Sequence, residues 1–228
     1  MPKTILALGA HYDDCPFGIP GILLKAIRSH HRVVILNVIG NYSQWPPVQG
    51  RDRQLVEFSQ LLARERGMEM RFLPHASLGF EANLALQQEI AEHVAEIEPD
   101  TAFLLWPRDR HPDHEVASAA AMAAIQQPSR LLNRERVKVP KEVFWYDNGP
   151  GHTIDFTPDC YVDISYEWDA ITAWLGPLMA FVKKNDGDDG RQAFPQSKTI
   201  LAQYRGLACG VPYAEALRSV RPRPVELF

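Results

Sequence analysis

Residues 4–10, 33–40 and 101–106 are apolar almost without a break, and residues 68–73 supply a fourth stretch of strand length. Runs this short and rich in β-branched residues read as strands buried on both faces of a parallel sheet. The segments between them change to a helical period. Over 18–30, Ile22, Leu23, Ala26 and Ile27 share one side, with Lys25 and Arg28 on the other. Over 52–67, Leu55, Phe58, Leu61 and Leu62 repeat the pattern, and over 83–98 Leu84, Ile90, Val94 and Ile97 do so. Gly67 and Pro99-Asp100 supply the stops. Strands alternating with helices predict an α/β chain: a Rossmann-like three-layer fold with a mainly parallel sheet flanked by helices.

The second half is less regular. Helices are expected over 116–125, 166–183 and 197–209, a fifth strand over 142–147, and a short strand over 161–164, antiparallel or at an edge. Loops fall at 41–50, a candidate substrate lip with Trp45 and Pro46-Pro47, at the turn-rich 148–159, and at the polar 185–190. Residues 213–217 take no assigned element ahead of a Pro-rich tail. Neither repeats nor a linker divide the chain, so one domain over 1–228 is expected.

Composition narrows the class. Twenty-four Lys and Arg against 28 Asp and Glu give a net charge of -4, which carries no electrostatic footprint for nucleic acid. A small-molecule substrate fits better. No apolar run reaches the roughly 20 residues of a membrane span, and Met1-Pro2-Lys3 opens without the apolar core of a signal peptide. Cys15, Cys160 and Cys209 are odd in number and far apart, as in a reducing compartment, so a cytoplasmic location is expected. Homo-oligomers are compatible with this class.

The chemistry gathers where strands end. The first strand runs into His11-Tyr12-Asp13-Asp14, and the fourth into His111-Pro112-Asp113-His114. In an open α/β sheet, ligands collect beyond the carboxyl ends of the strands. Either cluster alone could be helix-capping aspartates on a solvated loop; two at equivalent positions make a site. Imidazole and carboxylate suit Zn²⁺, and also Fe²⁺ or Mn²⁺, and three protein ligands leave positions open for water and substrate. His11, Asp14 and His114 form such a set, with Asp13 and His111 beside it, although spacing alone does not decide which aspartate ligates. A spare base and a spare donor are what metal-assisted amide hydrolysis requires.

These motifs, with Gly18 and Gly21 after the first and Gly210-Val211-Pro212-Tyr213-Ala214-Glu215-Ala216 near the end, resemble the PIG-L/LmbE-like metal-dependent N-deacetylases. The resemblance implies His11, Asp14 and His114 as metal ligands, Asp13 as general base, His111 as oxyanion donor and Asp113 as the residue orienting or polarising His111. It also implies Zn²⁺, with Fe²⁺ or another divalent metal as substitutes, and a small N-acetylated substrate of N-acetylglucosamine type. Tyr12 stands where the family has proline and Cys15 where it has glutamate. Arg51 and Arg53 are approximate counterparts of a substrate-contacting arginine.

The remaining candidates have plainer readings. Gly18 and Gly21 permit a tight turn; Trp45, Trp145 and Trp168 read as core rather than sugar platforms; His30, His31, His75 and His93, with no carboxylate partner in a motif, as surface or core; and His152, in a Gly/Pro loop after a strand, as loop rather than a substrate contact. An Fe²⁺ oxygenase shares the ligand set but leaves no adjacent base such as Asp13. The alternative from another class is a non-catalytic sugar- or metabolite-binding protein on the same fold, which predicts weak metal binding.

Overall fold

The computed structural model describes residues 1–183 and 193–221. The polar loop expected over 185–190 and most of the Pro-rich tail lie outside the described residues. The chain runs β1 (Thr4–Gly9), α1 (Asp14–Gly18), α2 (Pro20–Arg28), β2 (Arg32–Asn41), α3 (Asp52–Glu65), β3 (Glu69–Ala76), α4 (Leu84–Ile97) and β4 (Thr101–Leu105). It continues with α5 (Pro112–Gln126), α6 (Pro128–Leu131), β5 (Glu142–Tyr146), β6 (Cys160–Asp163), α7 (Trp168–Lys183), α8 (Gln196–Cys209) and β7 (Ala214–Ser219).

The strands form one seven-stranded sheet in the order β3-β2-β1-β4-β5-β7-β6. From β3 to β5 neighbours pair parallel, and β7 pairs antiparallel with both β5 and β6. The fold is the expected mixed α/β sheet, mostly parallel and flanked by helices. Leu6, Ile35, Leu36 and Leu104 are fully buried in its centre, as continuous apolar strands require. From β1 the chain steps outward to β2 and β3, then returns to the other side of β1 as β4. The gap between β1 and β4 is therefore the topological switch point, where open α/β sheets bind ligands.

Local chemistry explains where the elements depart from their periodicity. The helix expected over 18–30 is α2, and a separate short helix, α1, precedes it; the two are divided at Ile19, which precedes Pro20 and leaves the helical region at φ -135°. Gly18 and Gly21 do not serve a tight turn, since neither has positive φ. A Cβ at Gly18 would lie 2.5 Å from the Tyr146 ring, and one at Gly21 2.5 Å from Ile164, so both are glycine to let neighbours approach. The helix expected from 116 starts at Pro112, a favoured first helical position without an N–H to satisfy. Asp113 and His114 thus ride on a rigid first turn.

Residues 213–217 contribute to β7, inserted between β5 and the edge strand β6. Its glutamate disguised it. Glu215 is buried because it accepts the backbone N–H groups of Gly21 and Ile22 at 3.0 and 2.8 Å, and Lys198 at 2.8 Å. A carboxylate at the start of α2 satisfies donors that the helix itself cannot.

Candidate metal centre and catalytic cavity

At the switch point three side-chain atoms converge. His11 Nδ1 lies 3.1 Å from His114 Nε2, Asp14 Oδ1 lies 3.1 Å from the same Nε2, and Asp14 Oδ2 is 3.6 Å from His11 Nδ1. Asp14 is fixed from behind. Its Oδ2 accepts the N–H groups of Ala10 and His11 at 2.7 and 2.8 Å, and its Oδ1 accepts Asn148 Nδ2 at 3.0 Å.

Two further carboxylates stand against the outer nitrogens of these rings. Asp113 Oδ2 is 3.2 Å from His11 Nε2, and Asp109 Oδ2 is 3.1 Å from His114 Nδ1. If each takes an N–H, the other nitrogens, His11 Nδ1 and His114 Nε2, turn lone pairs towards each other and towards Asp14. Three converging lone pairs repel unless a cation or protons lie among them. The donor set therefore fits a divalent metal, with the carboxylate–histidine pairs that orient such ligands.

The same crowding governs titration in the metal-free protein. Burial lowers the pKa of His11, but the Asp113 and Asp14 carboxylates outweigh it and raise it to about 9. His114 is raised to about 10, since Asp14 and Asp109 likewise outweigh burial. Burial, then the neighbouring Asp14 charge, pushes Asp13 above the ordinary carboxylate range. Asp14 is held well below it, because the two imidazoles overcome the burial that would raise it. Two adjacent aspartates thus differ in proton affinity, as a ligand and a base should.

The cluster opens into a cavity of about 710 Å³, lined also by Asp13 and His111. Its aromatic side is Tyr12, Tyr42 and Trp45, with Tyr12 edge-on to Tyr42 at 5.6 Å and 5.9 Å from Trp45. Trp45, expected in the core, is a cavity residue on the expected lip. Tyr12, in the position of the family's proline, builds part of this wall. Cys15 lies in the core, its Sγ 3.4 Å from Tyr146 Oη, with burial raising its thiol pKa. Arg51 stacks over Phe181 and donates to its carbonyl at 3.2 Å. Neither Arg51 nor Arg53 is among the described residues lining the cavity.

The Asp113 carboxylate takes a partner other than the expected one. Asp113 was expected to orient His111, yet its carboxylate lies 3.7 Å from His111 Nδ1 and instead meets His11. It is pinned by Ser77 Oγ at 2.6 Å and the Leu78 N–H at 2.9 Å. The Asp113 backbone N–H, not its carboxylate, donates to His111 Nδ1 at 3.3 Å, making His111 the cap of α5. With Nδ1 accepting, the proton of the neutral ring sits on Nε2, and the side chain lines the cavity.

Asp109 and Asn148 escaped notice in the sequence, and His152, read as loop, lines the cavity. Asp109 sits in a charged loop two residues before His111, and the other two in a turn-rich segment after β5. Only the adjacency of β4 and β5 brings that segment to the site. His75, read as having no carboxylate partner in a motif, lies 2.7 Å from Glu89 and is not among the described residues lining the cavity.

Fold and site together define an α/β enzyme class with a His/Asp centre for a divalent metal at the sheet's switch point. A model of the PIG-L family, described as GlcNAc-PI de-N-acetylase, matches residues 6–125, and the chain belongs to this family of N-deacetylase hydrolases. The conserved protein TT1542 from Thermus thermophilus superposes with a TM-score of 0.77 at 24% identity, over 98% of this chain and 97% of that one. N,N'-diacetylchitobiose deacetylase from Pyrococcus horikoshii gives 0.76 at 17% identity, over 96% and 84%. GalB, the 4-carboxy-2-hydroxymuconate hydratase from Pseudomonas putida, gives 0.79 at 18% identity, over 99% of both chains. At these identities the three share the fold.

Proposed function

We propose that the chain is a single-domain, zinc-dependent N-deacetylase that removes an acetyl group from a small substrate of N-acetylglucosamine type. The fold alone does not choose the reaction, since GalB has it and is a hydratase. The observation that favours amide hydrolysis is the pairing of Asp13, a carboxylate of raised proton affinity, with His111 in the cavity beside His11, Asp14 and His114.

Those three residues would hold the metal, which when bound acidifies water and polarises the acyl oxygen. Asp13 accepts a proton from the attacking water and passes it to the leaving amine, which needs a proton to depart from carbon. His111, its Nδ1 occupied by the Asp113 N–H, offers Nε2–H to the negative charge that develops on the carbonyl oxygen. Asp109 and Asp113 hold the two ligand imidazoles in the tautomers that the metal requires. The aromatic side takes the apolar face of the substrate.

Acetate release from N-acetylglucosamine and its conjugates by zinc-reconstituted protein tests this reading. Asp13→Asn is expected to retain metal and lose at least about 100-fold in turnover. Near wild-type turnover in that variant would contradict the assignment of the base.

A further inference from the structure

His152 is held as a site residue is held. Its own N–H donates to the Gly149 carbonyl at 3.0 Å, and its carbonyl accepts the Arg110 N–H at 3.0 Å. Next along the chain, Thr153 bridges to Asp109 and the Ile154 N–H donates to the Arg108 carbonyl at 2.9 Å. The loop after β5 is therefore stitched to the loop after β4, which carries His111. The turn that allows this passes through Gly149 at φ +85°, a conformation that favours glycine. Asp147 fastens its start by accepting the Gly149 N–H at 2.7 Å and Arg205.

So placed, the His152 ring lines the cavity, 5.2 Å from the His114 ring and 6.4 Å from that of His111. Its Nδ1 edge is turned to Asp109, 3.7 Å from Oδ1, while 49% of the side chain stays accessible. Asp109 thus faces two imidazoles, that of a ligand candidate and that of His152. At 3.7 Å the contact with His152 is too long for a hydrogen bond, so the polar edges of the imidazole remain available to a ligand in the cavity.

We infer that His152 is a substrate-binding residue whose imidazole hydrogen-bonds a substrate hydroxyl beside the acetamide. The cavity thereby selects polyhydroxylated amides over plain ones. This rests on the deacetylase reading for its place in a reaction, and on the cavity geometry alone for its place in binding.

The test has a kinetic and a binding arm. In zinc-loaded enzyme, His152→Ala is expected to lower the ratio of kcat/KM for N-acetylglucosamine over N-acetylcyclohexylamine about tenfold, mainly through KM. His152→Gln, which places an amide able to donate or accept near the position of Nε2, should recover most of the ratio. By calorimetry, N-acetylglucosamine should bind the Asp13→Asn protein, and adding His152→Ala should weaken that binding about tenfold. An unchanged ratio with unchanged binding overturns the proposal, as does N-acetylglucosamine failing to bind the Asp13→Asn protein. Binding that depends on His152 without acetate release from any substrate would overturn the deacetylase reading and leave this one standing.

Discussion

Asp109 and Asp113 lie outside the proposed ligand set, yet they decide which nitrogen of His114 and His11 is free for a metal. Removing such an orienting carboxylate costs about 10- to 100-fold in metal affinity. Asp109→Asn should therefore bind Zn²⁺ that much more weakly in a chelator competition, and unchanged affinity would contradict the tautomer assignment. The pH dependence of the metal-free protein follows from the same contacts. His11 and His114 titrate at about 9 and 10 when folded, against an ordinary 6.5. Their contribution to stability is full below about pH 6.5 and lost as pH rises through 9 to 10. The melting temperature of chelator-treated protein should fall across that window, whereas a flat profile would contradict the pairing. His11, Asp13, Asp14, His111 and His114 were legible because each motif is contiguous and follows a strand. Asp109, Asn148 and His152 were not, since their roles depend on contacts between segments. The partners of Asp113 were not legible either: its carboxylate meets His11 from a distant strand end, and it reaches His111 through its backbone N–H.

At the scale of elements, strands were legible wherever burial on both faces made them continuously apolar, as in β1, β2 and β4. The second half of the chain was harder, because β7 carries a charge inward. Glu215 joins that strand to the start of α2 and to buried Lys198 in one set of contacts. Truncating one member of such a group leaves the other charge and two backbone donors without partners, at a cost of about 3–5 kcal/mol. Glu215→Ala should lower unfolding free energy by that amount in urea titration, and a loss below about 1 kcal/mol would show that water replaces the carboxylate. The break between α1 and α2 was readable in principle from Pro20, whereas the tight packing at Gly18 and Gly21 depends on Tyr146 and Ile164 from distant segments.

Across the whole molecule, one sheet reversal gathers the chemistry. β1 and β4 are neighbours, and each delivers a His/Asp motif to the same rim. No helix among the described residues is long and apolar enough to cross a membrane. The aromatic cavity above the rim could be read from neither periodicity nor composition, since Tyr12, Tyr42 and Trp45 come together only when the loops after β1 and β2 fold over one site. The proposed chemistry depends on the metal that His11, Asp14 and His114 are inferred to share. Its most direct test is elemental analysis of wild type and His114→Ala after reconstitution with zinc and removal of excess. About one metal per chain in the wild type, lost in the variant, is the predicted result; no retained metal in either, or equal metal in both, would contradict the account.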